Sequence, residues 1–243
     1  MGLVRQAAAL LFIIAIPVAL ITTTVRIVAN EPRLYTYAID HYDAPQRSGI
    51  ARDDLLRGSR ELREYFNNDE EEIFVRVEQD GRPIPLFNSR ETAHLRDVKT
   101  LFQTSFRVQE GAVIFILVYV VGVFIWAREG GLRALATQVL LAGLLGLAVI
   151  AGVGAFAVTG FDQSFEQFHL IAFDNDLWRL DPSRDHLLQM FPEAFWRDVS
   201  LWVGAATFVE LASLVVGSGL YLLFSKRPEV AYTLPKGAQP QVP

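Results

Sequence analysis

The sequence predicts an all-α polytopic membrane protein, with four transmembrane helices and a small extracytoplasmic α+β cap. Three observations predict it. Hydrophobic residues make up 51% of the 243-residue chain before its 17 glycines are counted, more than a soluble domain carries. Four stretches, the second prolonged by a mixed helix, can cross about 30 Å of hydrocarbon, which takes roughly 20 helical residues. Lys and Arg gather on one side of those stretches, as they do beside the cytoplasm.

The first span is residues 1–28. Its apolar run, 7–28, is longer than the core of a cleaved signal peptide, and no small-x-small site follows, so it is expected to be a retained anchor kinked at Pro17. Residues 29–110 form the cap and lead into the second span, 111–127. A loop at 128–133 connects to the third span, 134–158. An aromatic interfacial segment at 159–198 precedes the fourth span, 199–224, and a tail at 225–243 closes the chain. Arg5, Arg128, Arg133, Lys226, Arg227 and Lys236 share one side with only Glu129 and Glu229. That side is predicted to be cytoplasmic, with both termini. The segments 29–110 and 159–198 are net acidic, and His41, His94, His169 and His186 all fall in them, so proton chemistry is expected outside.

Within the cap, residues 51–66 place Leu55, Leu62 and Phe66 on one helical face, with Gly58 weakening the middle. Residues 73–78 alternate, Asp80-Gly81 turns, and 82–87 returns. This is a hairpin whose Pro83 and Pro85 confine the second strand to an edge. Asn88 and Glu91 have the spacing of a capping box, starting a helix that carries His94 toward the second span. In the segment 159–198, Phe161, Phe165 and His169 share a stripe and Asn175-Asp176 marks a turn. Asp181-Pro182 and Pro192 each start a helix. The aromatic residues here read as a belt on or in the outer leaflet.

Absence of Cys removes thiol chemistry, and a net charge of −5 argues against a nucleic-acid partner. No Walker loop, Rossmann fingerprint, GxSxG elbow or HExxH spacing occurs, so no cofactor, metal or covalent intermediate is expected. His94 and Asp97 are helical neighbours, and a carboxylate can orient an imidazole. His169 sits among phenylalanines, which favour a neutral imidazole suited to base catalysis. The bland alternatives are a surface histidine with a charged neighbour and one satisfied by a carbonyl. Glu210 falls mid-span, where a paired or functional role is the default. Arg26, at the outer end of the first span, is a candidate for a substrate contact or an anchor. Ala148/Gly152, Ala151/Ala155 and Ser213/Gly217 offer close helix packing.

HLRDVK at 94–99, FHLIAFDNDLWRLDP at 168–182 and LLQMFPEAFW at 187–196 resemble the lipoprotein intramolecular transacylase family. The resemblance implies an acyltransferase of the bacterial cytoplasmic membrane. Such an enzyme moves the sn-2 acyl chain of a diacylglyceryl-modified lipoprotein to the α-amine of its N-terminal cysteine, giving a lyso-form lipoprotein. It also implies that His94 and His169 are the working histidines, with Asp97, Asn175, Asp176 and Trp178 at motif positions. Membrane lipids and diacylglyceryl lipoproteins would be the partners, and no nucleic acid. The chemistry suits the residues: ester and amine lie on one molecule, so proximity can lower much of the barrier. An imidazole can deprotonate an amine of pKa about 7.7–8.0, and the second, as imidazolium, could serve as acid. A non-enzymatic membrane scaffold or sensor and a metal-dependent membrane hydrolase are the competing readings.

Overall fold

A computed structural model describes residues 2–126 and 131–225, without the side chains of 126 and 156–159. The predicted loop and tail around Arg128, Glu129, Lys226, Arg227, Glu229 and Lys236 therefore lie outside the described residues. Among the described residues, four helices are long and apolar enough to cross a membrane: α1 (Gly2–Asn30), α5 (Ser89–Trp126), α6 (Gly131–Thr159) and α9 (Glu193–Phe224). Between them stand α2 (Pro32–His41), α3 (Ala44–Ser48), α4 (Arg52–Phe66), β1 (Arg76–Gln79), β2 (Arg82–Pro85), α7 (Phe161–Ala172) and α8 (His186–Met190).

In the bundle, α1 packs on α5, α6 and α9, and α6 on α9. Phe12 of α1 stacks on Tyr119 of α5 at 4.4 Å, while Leu10, Ile114, Val118, Val149 and Val216 point outward, as side chains facing lipid do. The close approach of α6 to α9 falls at Gly143 and Gly146. A Cβ there would meet Val215 and Leu211, and at Gly146 also Pro17 of α1. Gly152 and Gly217, expected at the packing seams, face open space. Small residues recur so often along α6 that spacing alone does not select the crossing point. Glu210 finds a partner within the span, accepting a 3.3 Å hydrogen bond from Thr24 Oγ1.

The cap has a dense core in which Ile39, Ile50, Leu55, Tyr65, Val77, Leu86 and Leu95 are buried with Met190 and Phe195. The two outer segments thus form one unit. Its hairpin pairs Val77 with Ile84 around Asp80 and Gly81 at φ +53° and +72°, the left-handed pair of a tight hairpin turn. Gly58 proves useful rather than weakening: a Cβ there would collide with Leu86. Two expectations need correction. Asp181-Pro182 starts a turn, because Asp181 Oδ1 is taken by Ser183, and α8 begins only after Asp185. The aromatic belt is also divided: Phe173, Phe191 and Phe195 are buried in protein, while Phe168 and Trp202 stay exposed.

Candidate active site

α5 is 38 residues long, about 57 Å at 1.5 Å per residue, so its first half must stand clear of the hydrocarbon. His94 lies on that half. The capping box forms as its spacing predicts: Asn88 Oδ1 accepts from the backbone N–H of Arg90 and Glu91, and Glu91 Oε2 accepts from Asn88 N at 2.8 Å. His169 sits in the last turn of α7. Its ring centroid is 6.1 Å from that of His94, and both residues are 7% exposed.

Aromatic rings enclose the pair. Phe165, Trp178, Phe168 and Phe173 lie 4.4, 4.9, 5.2 and 5.6 Å from His169, and Phe173 also meets His94 edge-on at 5.2 Å. His169 Nδ1 is 2.7 Å from the Phe165 carbonyl oxygen. A carbonyl only accepts, so Nδ1 carries the proton and Nε2 presents its lone pair. Burial, then the neighbouring imidazole, push His94 down to about 4 against an upward pull from Asp97. Burial likewise lowers His169, opposed by its bond to Phe165. Both imidazoles are therefore neutral near pH 7. A charge on either ring, buried beside the other imidazole, is disfavoured.

Two buried polar atoms at this site, His94 Nδ1 and Trp178 Nε1, have no hydrogen-bond partner among the described residues. Such orphans call for a ligand or water. Among the described residues Asp97 makes no hydrogen bond to His94 and acts on it only through its charge; its carboxylate accepts from Asn175 Nδ2 at 2.9 Å, and Asn175 Oδ1 in turn accepts from Leu177 N, closing the turn that delivers Trp178. Asp176 binds Arg179 through Oδ1 at 3.1 Å and offers its backbone oxygen to Arg90. Arg26 is not brought to the histidines. It pairs with Glu110 at 2.8 Å and lies over Phe106, twelve residues or about 18 Å along α5 from His94.

Sequence reasoning missed the clasp that joins the outer segments. Glu91, 1% exposed, accepts from Leu187 N at 2.6 Å through Oε1. Burial pushes its carboxyl up, opposed by the N–H groups of Leu187 and Asn88. Asn88 Nδ2 donates to Asp185 Oδ1 at 2.9 Å, and His186 Nδ1 bonds the Leu86 carbonyl. The capping spacing at Asn88 and Glu91 was the available signal, but partners almost 100 residues away leave none. Among the described residues, no three His, Asp or Glu side chains gather as a metal site requires.

Fold and site together define a membrane-integral protein whose helical bundle carries, at its capped end, a buried pair of neutral imidazoles ringed by aromatic residues. Residues 10–196 match the family described as lipoprotein intramolecular transacylase Lit, and the chain belongs to that family. An uncharacterised protein of Aquifex aeolicus (strain VF5) is 27% identical over 134 residues, covering 55% of this chain and 56% of that relative. The chain thus spans a little over half the length of the curated relative it matches. The in meso structure of the membrane integral lipoprotein intramolecular transacylase Lit from Bacillus cereus superposes with a TM-score of 0.74 at 18% identity, covering 92% of this chain and 97% of the other. A histidine-to-alanine variant of that protein gives 0.70 at 17% identity, covering 91% and 94%. At these identities the likeness is one of fold.

Proposed function

We propose that this chain catalyses the intramolecular O-to-N acyl transfer outlined above, with His94 and His169 as its working pair. The observation that carries this reading is the meeting of two neutral imidazoles, from segments 75 positions apart in the sequence, inside an aromatic enclosure with two unpartnered polar atoms. The membrane would be the bacterial cytoplasmic membrane, with both termini inside and the site facing outward.

The lipoprotein's α-amine attacks the sn-2 ester carbonyl, forming a C–N bond and a tetrahedral oxyanion. His169 Nε2 takes the proton lost by nitrogen. The C–O bond to glycerol then breaks, and that proton returns to the departing glycerol oxygen, directly or through His94, so both imidazoles end neutral. Trp178 Nε1–H and an N–H of His94 are the donors available to the oxyanion. Because His169 binds its proton weakly, the imidazolium gives it up readily as an acid. Asp97, Asn175 and Asp176 hold the turn that places Trp178. Exposed Phe168, Leu170 and Ile171 on α7 offer an apolar path for the acyl chain. With ester and amine on one molecule, holding them in contact supplies much of the rate enhancement.

The test is mass spectrometry of lipoprotein N-terminal peptides from a host lacking N-acylation, with and without this chain. N-acylated lyso-form peptides are expected only with it. Unchanged diacylglyceryl peptides in the presence of folded protein would overturn the reading.

A further inference from the structure

Away from the histidines, α2 and α4 flank a cleft of about 140 Å³. Tyr35 and Thr36 line it from α2. From α4 come Leu56, Ser59, Arg60 and Arg63, which at spacings of three, four and seven share one helical face. The cleft's depth in the membrane follows from its attachments. α2 begins two residues after α1 ends, Asn67 Nδ2 donates to Asn30 Oδ1 at 2.8 Å, and Arg63 Nη1 reaches the Asn30 carbonyl at 3.5 Å. The last turn of α4 therefore rests on the end of the first span, just beyond the Arg26–Glu110 pair. With α1 spanning the hydrocarbon, its end on the cap side falls where lipid head groups begin.

Two of the arginines there lack an ion-pair partner among the described residues. On the same helix, Arg52 pairs with Asp40 and Arg57 with Asp54. Arg60, by contrast, makes no hydrogen bond or ion pair among the described residues, and Arg63 only its long contact to Asn30. Ser59, 1% exposed, contributes an Oγ with no partner among those residues, and Thr36 Oγ1 bonds only its own helix at 3.4 Å.

We propose that this cleft binds the head group of an anionic phospholipid. Arg60 and Arg63 take the phosphate oxygens, for which guanidinium is the matched donor, and Tyr35 and Leu56 cover the glycerol. The volume suits a head group and excludes paired acyl chains. Two arginines without an ion pair favour a lipid of net negative charge over a zwitterion, whose ammonium would add a like charge. A diacylglyceryl-cysteine carries no phosphate, so this site is separate from the acyl-transfer centre and does not rest on that reading.

Full-length protein in uncharged detergent is mixed with equal phosphatidylglycerol and phosphatidylcholine, and retained lipid is read by native mass spectrometry. Wild type is expected to keep phosphatidylglycerol selectively. Arg60→Gln with Arg63→Gln is expected to weaken that binding on the order of 30-fold, about a factor of five for each arginine. Thr36→Phe, which fills the cleft from the other helix with both arginines in place, is expected to block binding as well, and decides the matter if the double variant fails to fold. Undiminished phosphatidylglycerol binding by either folded variant, or equal retention of the two lipids by wild type, would overturn the proposal.

Discussion

The outer half of α5 and the short helix α7 each deliver one imidazole, but they are held very differently. α5 continues without a break from the bundle, and its first turns are locked to the second outer segment through Asn88, Arg90 and Glu91, with Glu91 and Asp185, the acceptor of Asn88, both buried. α7 has 12 residues and an apolar face open to lipid. Its side-chain ion pair to the following turn, Glu166 with Arg179, is half exposed, and pairs of that kind contribute about 0–1 kcal/mol. One histidine thus stands on a long helix clasped by buried groups, and the other on a short helix that packs on α6 and α9. Both rings are only 7% exposed, so we expect substrate to reach them by displacing part of the enclosure, on the side where α7 turns its apolar residues outward.

The largest effect expected is loss of either ring. His94→Ala and His169→Ala should each lower lyso-form peptide production by a factor of about 10² to 10⁴, the range for a positioned acid or base, with the helical content of the purified protein unchanged. If the two rings act as one relay, the double variant loses little more than the worse single one. Multiplicative losses would separate their roles.

Next comes the clasp on α5. Glu91→Ala leaves the buried N–H groups of Asn88 and Leu187 without their acceptor and should cost about 3 kcal/mol of stability by denaturant titration. Its effect on turnover should fall on kcat rather than KM, because the clasp positions His94 and touches no substrate. Glu91→Gln retains one acceptor and is expected to recover part of the loss.

The same contrast explains what the sequence disclosed. The four spans, the hairpin at Asp80-Gly81, the helix 51–66 and the start of α5 were legible because periodicity, turn chemistry and capping act within a few residues. The histidine pair was reached through the motif blocks around His94 and His169. Their surroundings were not legible: that Asp97 serves Asn175, that Phe173 turns inward while Phe168 stays out, and that Glu91 caps Leu187 all depend on contacts between distant segments. The helix expected at Pro182 failed for the opposite reason, since a locally sound start signal was captured by Ser183 and Asp185.

A pH titration reads out the burial of the histidine on α5. His94 is held at about 4 in the fold against about 6.5 in an unfolded chain. Between those values the unfolded chain binds the additional proton, so this contribution to stability is complete above pH 6.5 and is lost as pH falls toward 4. About 2 kcal/mol should disappear by pH 5, with His169 adding in the same direction. His94→Asn should flatten the dependence of the melting temperature between pH 7 and 5. Activity should show no acid limb at 6.5 from these two groups and should rise toward pH 8, where the substrate amine loses its proton.

The smallest effect belongs to Arg26, and it tests where the functional region ends. Its charge is already met by Glu110 and its face by Phe106, both of which are far down α5 from His94. Arg26→Gln should lower stability by at most about 1 kcal/mol, as for a partly exposed pair, and leave lyso-form production within about twofold, since an effect transmitted along a rigid helix needs a displacement that the clasp at Glu91 resists. A tenfold loss of production with unchanged melting temperature would instead extend the substrate's footprint down to the rim of the first span. In that case α5 would be a binding surface along its outer half as well as the support for one imidazole.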